Sequence, residues 1–174
     1  MTGGAGGGLI RRHLRWMYRA GRPNRLARLM NTLAAWQFST GLAPAHWVTL
    51  EVPGRRSGRP VAVPVVVADH DGGRYLVSML GTEANWVHNV RAAGGRAVLR
   101  HGRREPVRLD EIPVADRPPI LRRYLALAPG ARAHVPVDRH AAVADFAGVA
   151  DRFPVFRVTP DPGPPPPIGG GPGA

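Results

Sequence analysis

The sequence predicts a mainly β protein of the α+β kind, a barrel of short strands with helices at its periphery. Three observations carry that expectation. From His46 onward, short valine-rich apolar stretches recur at close intervals. Tight glycine turns separate them, with Asp71-Gly72-Gly73 the clearest hairpin signal. Helical periodicity is confined to the N-terminal end and to a few short segments, which argues against a doubly wound sheet.

The elements follow in order. Ile10, Leu14, Met17 and Tyr18 fall on one face of a 3.6-residue period, and Leu26, Leu29, Met30 and Leu33 repeat it. Gly21-Arg22-Pro23-Asn24 separates the two stretches, with Asn24 placed to cap the second. Trp47 to Val52 reads as a strand, Gly54 to Gly58 as a turn, and Val61 to Ala68 as a strand. Pro64 inside that strand suggests an edge position or a bulge. Strands are expected at Tyr75 to Met79, Ala97 to His101, Glu105 to Ile112 and Phe153 to Val158. Helices are expected at Asn85 to Ala92, Pro118 to Leu127 and Ala141 to Val149.

The resulting organisation is a glycine-rich tail at 1–8, a basic helical arm at 9–40, a barrel domain at 41–160 and a Pro/Gly tail at 161–174. The last has almost no apolar side chain to bury, so disorder is expected there.

Composition narrows the function classes. Cysteine is absent, which removes disulfides, thiolate nucleophiles and cysteine metal sites. All 24 basic residues are arginine, a bias expected of a GC-rich genome, and the formal net charge is +12. Residues 1–40 hold seven arginines and no acid, so the excess is concentrated there. That arm reads as a solvated helix face covering the barrel, as an interfacial helix drawn to anionic lipid, or as a nucleic-acid arm. No recognised nucleic-acid module accompanies the charge, so no nucleic-acid partner is expected. No apolar run reaches the roughly 20 residues of a membrane-spanning helix, and residues 1–8 lack a signal peptide's apolar stretch. A cytoplasmic monomer is expected, with the inner face of the plasma membrane as the surface the arm could visit.

The seven histidines are scattered without ligand spacing, so no metal is expected. No Gly-x-Ser-x-Gly elbow, dinucleotide fingerprint or Walker loop is present. What stands out is Gly54-Arg55-Arg56-Ser57-Gly58. Its glycines permit close backbone approach to a ligand, and its arginines and hydroxyl suit phosphate or carboxylate groups. A hairpin turn with solvated arginines is the plainer alternative. Ser78-Met79-Leu80-Gly81 and Asn85-Trp86-Val87-His88-Asn89 follow. A tryptophan flanked by amides suits a planar ring system, although taken alone Trp86 is more often a core residue than a cofactor wall.

Together these segments, over roughly residues 46–112, resemble the deazaflavin-dependent nitroreductase family. The family's strand, basic turn, proline-containing valine strand, Gly-Gly hairpin, serine and Trp-x-x-Asn helix appear here in order. They are Val48 to Val52, Gly54 to Gly58, Val61 to Val67, Gly72-Gly73, Ser78 and Trp86 to Asn89. The resemblance implies a split β-barrel like that of flavin-binding (FMN-type) oxidases and the cofactor coenzyme F420, a deazaflavin with a phospholactyl-oligoglutamate tail. It implies that Arg55, Arg56 and Ser57 contact the anionic tail. Val61, Val63, Pro64, Val65 and Val66 would line the cofactor groove with Ser78, Met79, Leu80 and Gly81, and Asn85, Trp86 and Asn89 would complete its wall.

Two positions depart from the pattern. Arg56 replaces a lysine and keeps the charge, while Val61 stands where an arginine is usual, with Arg59 two positions away. The implied activity is hydride transfer from reduced coenzyme F420 to a quinone, enone or nitro compound. Ser78 and Tyr124 are the candidate substrate-side donors. The alternatives are the same barrel using FMN, or a non-catalytic ligand-binding or membrane-surface module.

Overall fold

A computed structural model describes residues 44–161 and 163. The expected arm at 9–40, the tail at 1–8 and most of the tail at 161–174 lie outside the described residues.

Six strands form one closed antiparallel barrel: β1 (Trp47–Pro53), β2 (Pro60–His70), β3 (Gly73–Val77), β4 (Arg96–His101), β5 (Arg103–Glu111) and β6 (Val155–Pro160). Their spatial order is β1-β2-β3-β6-β5-β4, so the last strand is inserted between β3 and β5. The β2–β3 hairpin turns on Asp71 and Gly72, both at positive φ (45° and 71°), as a two-residue turn matched to the strand twist requires.

Two apolar clusters hold the molecule together. Inside the barrel, Val48, Leu50, Val52, Leu76, Leu99, Val107 and Phe156 alternate inward, and α1 (Asn85–Ala92) adds Val87 and Val90. The α1 helix ends at Gly94-Gly95, where the Gly95 amide donates to the Val90 carbonyl and the Leu109 amide to the Gly95 carbonyl. Gly95 has φ +84°, and a Cβ there would lie 2.7 Å from the Leu109 carbonyl oxygen, so only glycine fits.

The second cluster lies outside the sheet. There α2 (Arg117–Leu127) packs Ile120, Leu121, Tyr124 and Leu125 against Ala68, Tyr75, Val77 and Phe146. The helix expected at Ala141 to Val149 is a 3-10 helix, Val143–Arg152, with Gly148 inside it. Its first turn is tied by the Ala142 amide donating to Asp145 Oδ2 at 3.0 Å. Glycine and valine favour the α form weakly, and tertiary contacts at Phe146 and Ala150 settle the local geometry.

Pro64 is not at a bulge. The β1–β2 register runs unbroken from Trp47↔Val66 to Pro53↔Pro60, with Pro64 opposite Thr49. Only Val67 to His70 pair with β3. Residues 60–66 therefore present one unpaired edge among the described residues, and a proline costs no ladder bond there. This is the opening that splits the barrel, and its position next to the 54–58 turn defines the site.

Candidate functional site

The turn between β1 and β2 is closed by its own backbone. The Gly54 amide donates to the Arg59 carbonyl at 2.9 Å and the Gly58 amide to the Gly54 carbonyl at 2.7 Å. Gly58 takes φ +68°, which glycine accepts without strain. Gly54 is buried, and a Cβ there would sit 3.1 Å from both the Arg59 carbonyl and Ser57 Oγ. Arg55, Arg56, Ser57 and Arg59 are all exposed on the outer side of this loop. Ser57 Oγ accepts from the Arg59 amide at 3.3 Å, which leaves the hydroxyl proton free to donate.

The loop is fastened to α1. Asn89 Oδ1 accepts from the Arg55 amide at 3.2 Å and from an Arg55 guanidinium nitrogen at 3.0 Å. The same guanidinium nitrogen donates to Asn85 Oδ1. Asn89 is only 1% exposed, and its Nδ2 has no hydrogen-bond acceptor among the described residues. A buried amide N–H left without a partner costs about 1–3 kcal/mol, so a ligand acceptor there would be welcome.

The remaining sequence-expected residues divide between the two clusters. Val63, Val65, Leu80 and Trp86 are half-buried on the rim of the inner cluster. The Trp86 ring is braced by Phe156 at 5.4 Å between centroids. Val66 and Met79 pack instead against the outer cluster. Val61 and Pro64 are half-buried on the open part of β2, with Val61 Cγ2 against Gly54. Arg59 precedes β2, so it belongs to the turn and does not follow the strand's alternation.

Ser78 is 1% exposed, and its hydroxyl donates to the Gly81 carbonyl at 2.8 Å, which shapes the Ser78–Gly81 turn. Gly81 has φ +82° there. Tyr124 lies in the outer cluster, and burial pushes its hydroxyl pKa well upward, so it stays protonated. The structure thus unites Arg55 with Asn85 and Asn89, and places Val63, Val65, Leu80 and Trp86 around one rim, but does not bring Tyr124 to them.

The tie between Arg55 and the two asparagines was not expected from sequence. Its signal was present: Asn85 and Asn89 are four apart, which puts both amides on one face of a helix. A separate cavity of about 350 Å³ opens at the barrel end where β1 begins, lined by His46, Val48, Val67, Leu99 and His101. Among the described residues no cluster of three metal-ligating side chains occurs.

Fold and site together define a split-barrel protein with an exposed cationic turn beside an apolar strand edge. Residues 27–144 match the F420H(2)-dependent quinone reductase family, and the chain belongs to that family. Coenzyme F420 is the cofactor, and reduction the enzyme class, that come with membership. No curated protein matches the sequence.

Among solved structures, the Atu2129 protein of Agrobacterium tumefaciens str. C58, of unknown function, shares the fold. It aligns with a TM-score of 0.50 at 15% identity, over 74% of this chain and 54% of its own. This chain thus spans about half the length of that relative. An F420-H2 dependent reductase, FDR-A, aligns at 21% identity over 66% of this chain and 95% of its own, with a TM-score of 0.43. An FAD-binding protein of Mesorhizobium loti aligns at 18% identity over 73% of this chain and 89% of its own, with a TM-score of 0.44.

Proposed function

We propose that this chain transfers hydride from reduced coenzyme F420 to a conjugated small-molecule acceptor such as a quinone, an enone or a nitro compound. The observation that carries the reading is the 54–59 turn, where three exposed arginines stand beside the unpaired edge of β2. Family membership supports the cofactor, and the unpaired Asn89 Nδ2 supports an acceptor-bearing ligand at this place.

When bound, the reduced deazaflavin supplies a hydride from its C5. The chain's own residues bind and orient. Arg55, Arg56 and Ser57 hold the tail's phosphate and carboxylates, with Arg59, two residues before Val61, as a third cation at the end of the turn. Val61, Val63 and Val65, which share one face of β2, give the ring system an apolar bed that excludes water. The Ser78–Gly81 turn and Trp86 close the far side, and Phe156 keeps the Trp86 ring from swinging away. With the Ser78 hydroxyl engaged by the Gly81 carbonyl, water supplies the proton that completes acceptor reduction. Catalysis on this scheme is mostly orientation, which for well-placed reactants is worth about 7–11 kcal/mol of barrier.

The test is titration of the purified protein with reduced and oxidised coenzyme F420 at several salt concentrations, with FMN as competitor. Salt-sensitive binding of the deazaflavin, weakened in an Arg55→Ala/Arg56→Ala variant, is expected. Preferential binding of FMN would move the reading to a flavin enzyme. Binding of neither cofactor would leave a ligand-binding module.

A further inference from the structure

Seven of the seventeen arginines among the described residues pair with carboxylates. Arg74 pairs with Glu105, Arg91 and Arg117 with Glu111, Arg100 and Arg104 with Glu51, Arg108 with Asp110, and Arg123 with Asp69. Arg55 is among the other ten, and what holds it is distinctive. Its guanidinium is held by two neutral amides, those of Asn85 and Asn89, and no carboxylate lies within ion-pair distance of it among the described residues. Asn89 Oδ1 also fixes the Arg55 backbone amide, so the turn and its side chain are set by one atom. With Oδ1 taken by two donors, the orientation of the Asn89 amide is determined, and Nδ2 faces away from the guanidinium.

We infer that Asn85 and Asn89 are positioning residues that immobilise Arg55 without neutralising it, and so keep the 54–58 turn attractive to an anionic group such as a phosphate. A carboxylate in either place would hold the guanidinium at least as firmly. It would also cancel its charge and repel an incoming anion. An amide accepts the same hydrogen bonds and adds no charge, so Arg55 keeps its full attraction while losing its rotamer freedom. Only one guanidinium nitrogen has a partner, so the other N–H groups remain available for a bidentate contact with phosphate or carboxylate oxygens. The inference rests on the proposed cofactor site but concerns the anion alone, and it can be tested without the cofactor.

The experiment compares Asn85→Asp with Asn85→Ala in the full chain, since Asn85 is exposed and either change leaves the core untouched. Binding of inorganic pyrophosphate and, separately, of coenzyme F420 is measured by calorimetry at several salt concentrations, with thermal melts alongside. A merely structural amide would tolerate aspartate, which keeps the bond to Arg55, and would suffer more from alanine. The inference demands the reverse order. Asn85→Asp should lose about tenfold or more in pyrophosphate affinity with a flatter salt dependence and no fall in melting temperature. Asn85→Ala should lose less, because Asn89 still holds the guanidinium. An Asp variant within twofold of wild type, or a wild type that does not bind pyrophosphate, overturns it. If pyrophosphate behaves as expected and coenzyme F420 does not bind, the positioning role stands and the proposed function falls.

Discussion

Replacing Arg117 with leucine removes the one buried charged side chain among the described residues. Arg117 opens α2 and is only 6% exposed. Its Nε and one terminal nitrogen donate to the Ile112 carbonyl at 3.2 and 3.1 Å. The other terminal nitrogen donates to the carbonyls of Ala150 and Phe153 at 3.2 and 3.3 Å. A further bond reaches Glu111 Oε1 at 3.0 Å. One side chain thus ties the end of β5, the start of α2 and the end of the 3-10 helix.

In Arg117→Leu three backbone carbonyls lose a charged donor, while Glu111 keeps Arg91. At about 1 kcal/mol for each carbonyl left without its donor, the loss is about 3 kcal/mol. For a chain of this size that is a fall in melting temperature on the order of 10 °C. Urea denaturation followed by tryptophan fluorescence, with thermal melts, measures it. Arg117→Lys should fall between, because it restores the charge but not the planar fork. A loss below about 1 kcal/mol for the leucine variant would refute the reasoning, since the carbonyls would then be satisfied by water and the arginine idle.

Three further outcomes are expected. Gly95→Ala places a Cβ 2.7 Å from the Leu109 carbonyl at φ +84°, and should cost about 1–3 kcal/mol in a denaturant titration. The hydrogen bonds from Arg74 hold the Glu105 carboxyl below its usual pKa of 4.5, and those from Arg123 lower Asp69 from 3.8. A carboxyl depressed in the folded state stabilises above its unfolded pKa and loses that contribution as pH falls through the folded value. Stability should therefore decline below about pH 4.5, and Glu105→Gln should flatten that acid limb in melts run across pH. Asp69 is largely solvent-exposed and should contribute little to it. The Arg55→Ala/Arg56→Ala variant should bind coenzyme F420 at least tenfold more weakly, with a reduced salt dependence of affinity and an unchanged melting temperature.

Much of the fold was legible because its signals are local. The strand at Trp47–Pro53 and the Asp71-Gly72 turn follow from alternation and positive-φ preference. The helix type at 143–152 was not, since its α and 3-10 forms differ by less than the tertiary contacts that choose between them. Pro64 was legible as an edge residue but not as part of an unbroken register, because register depends on a partner strand.

At the site, the cationic turn and the tryptophan helix were visible separately. Their connection was not, because Arg55 meets Asn85 and Asn89 across 30 and 34 residues, and barrel closure brings them together. Nor could sequence show that Arg117 is buried, since an arginine among 24 reads as exposed until its carbonyl partners are placed around it. The same limit applies to the acceptor, which is chosen by shape and donors on the substrate side.

The account's central claim is tested most directly by mixing the protein anaerobically with reduced coenzyme F420 and a soluble quinone, and following the deazaflavin's visible absorbance. The account predicts that oxidised cofactor reappears in proportion to quinone reduced, at a rate that falls in the Arg55→Ala/Arg56→Ala variant. Bound reduced cofactor that is never oxidised by any quinone, enone or nitro compound would contradict it.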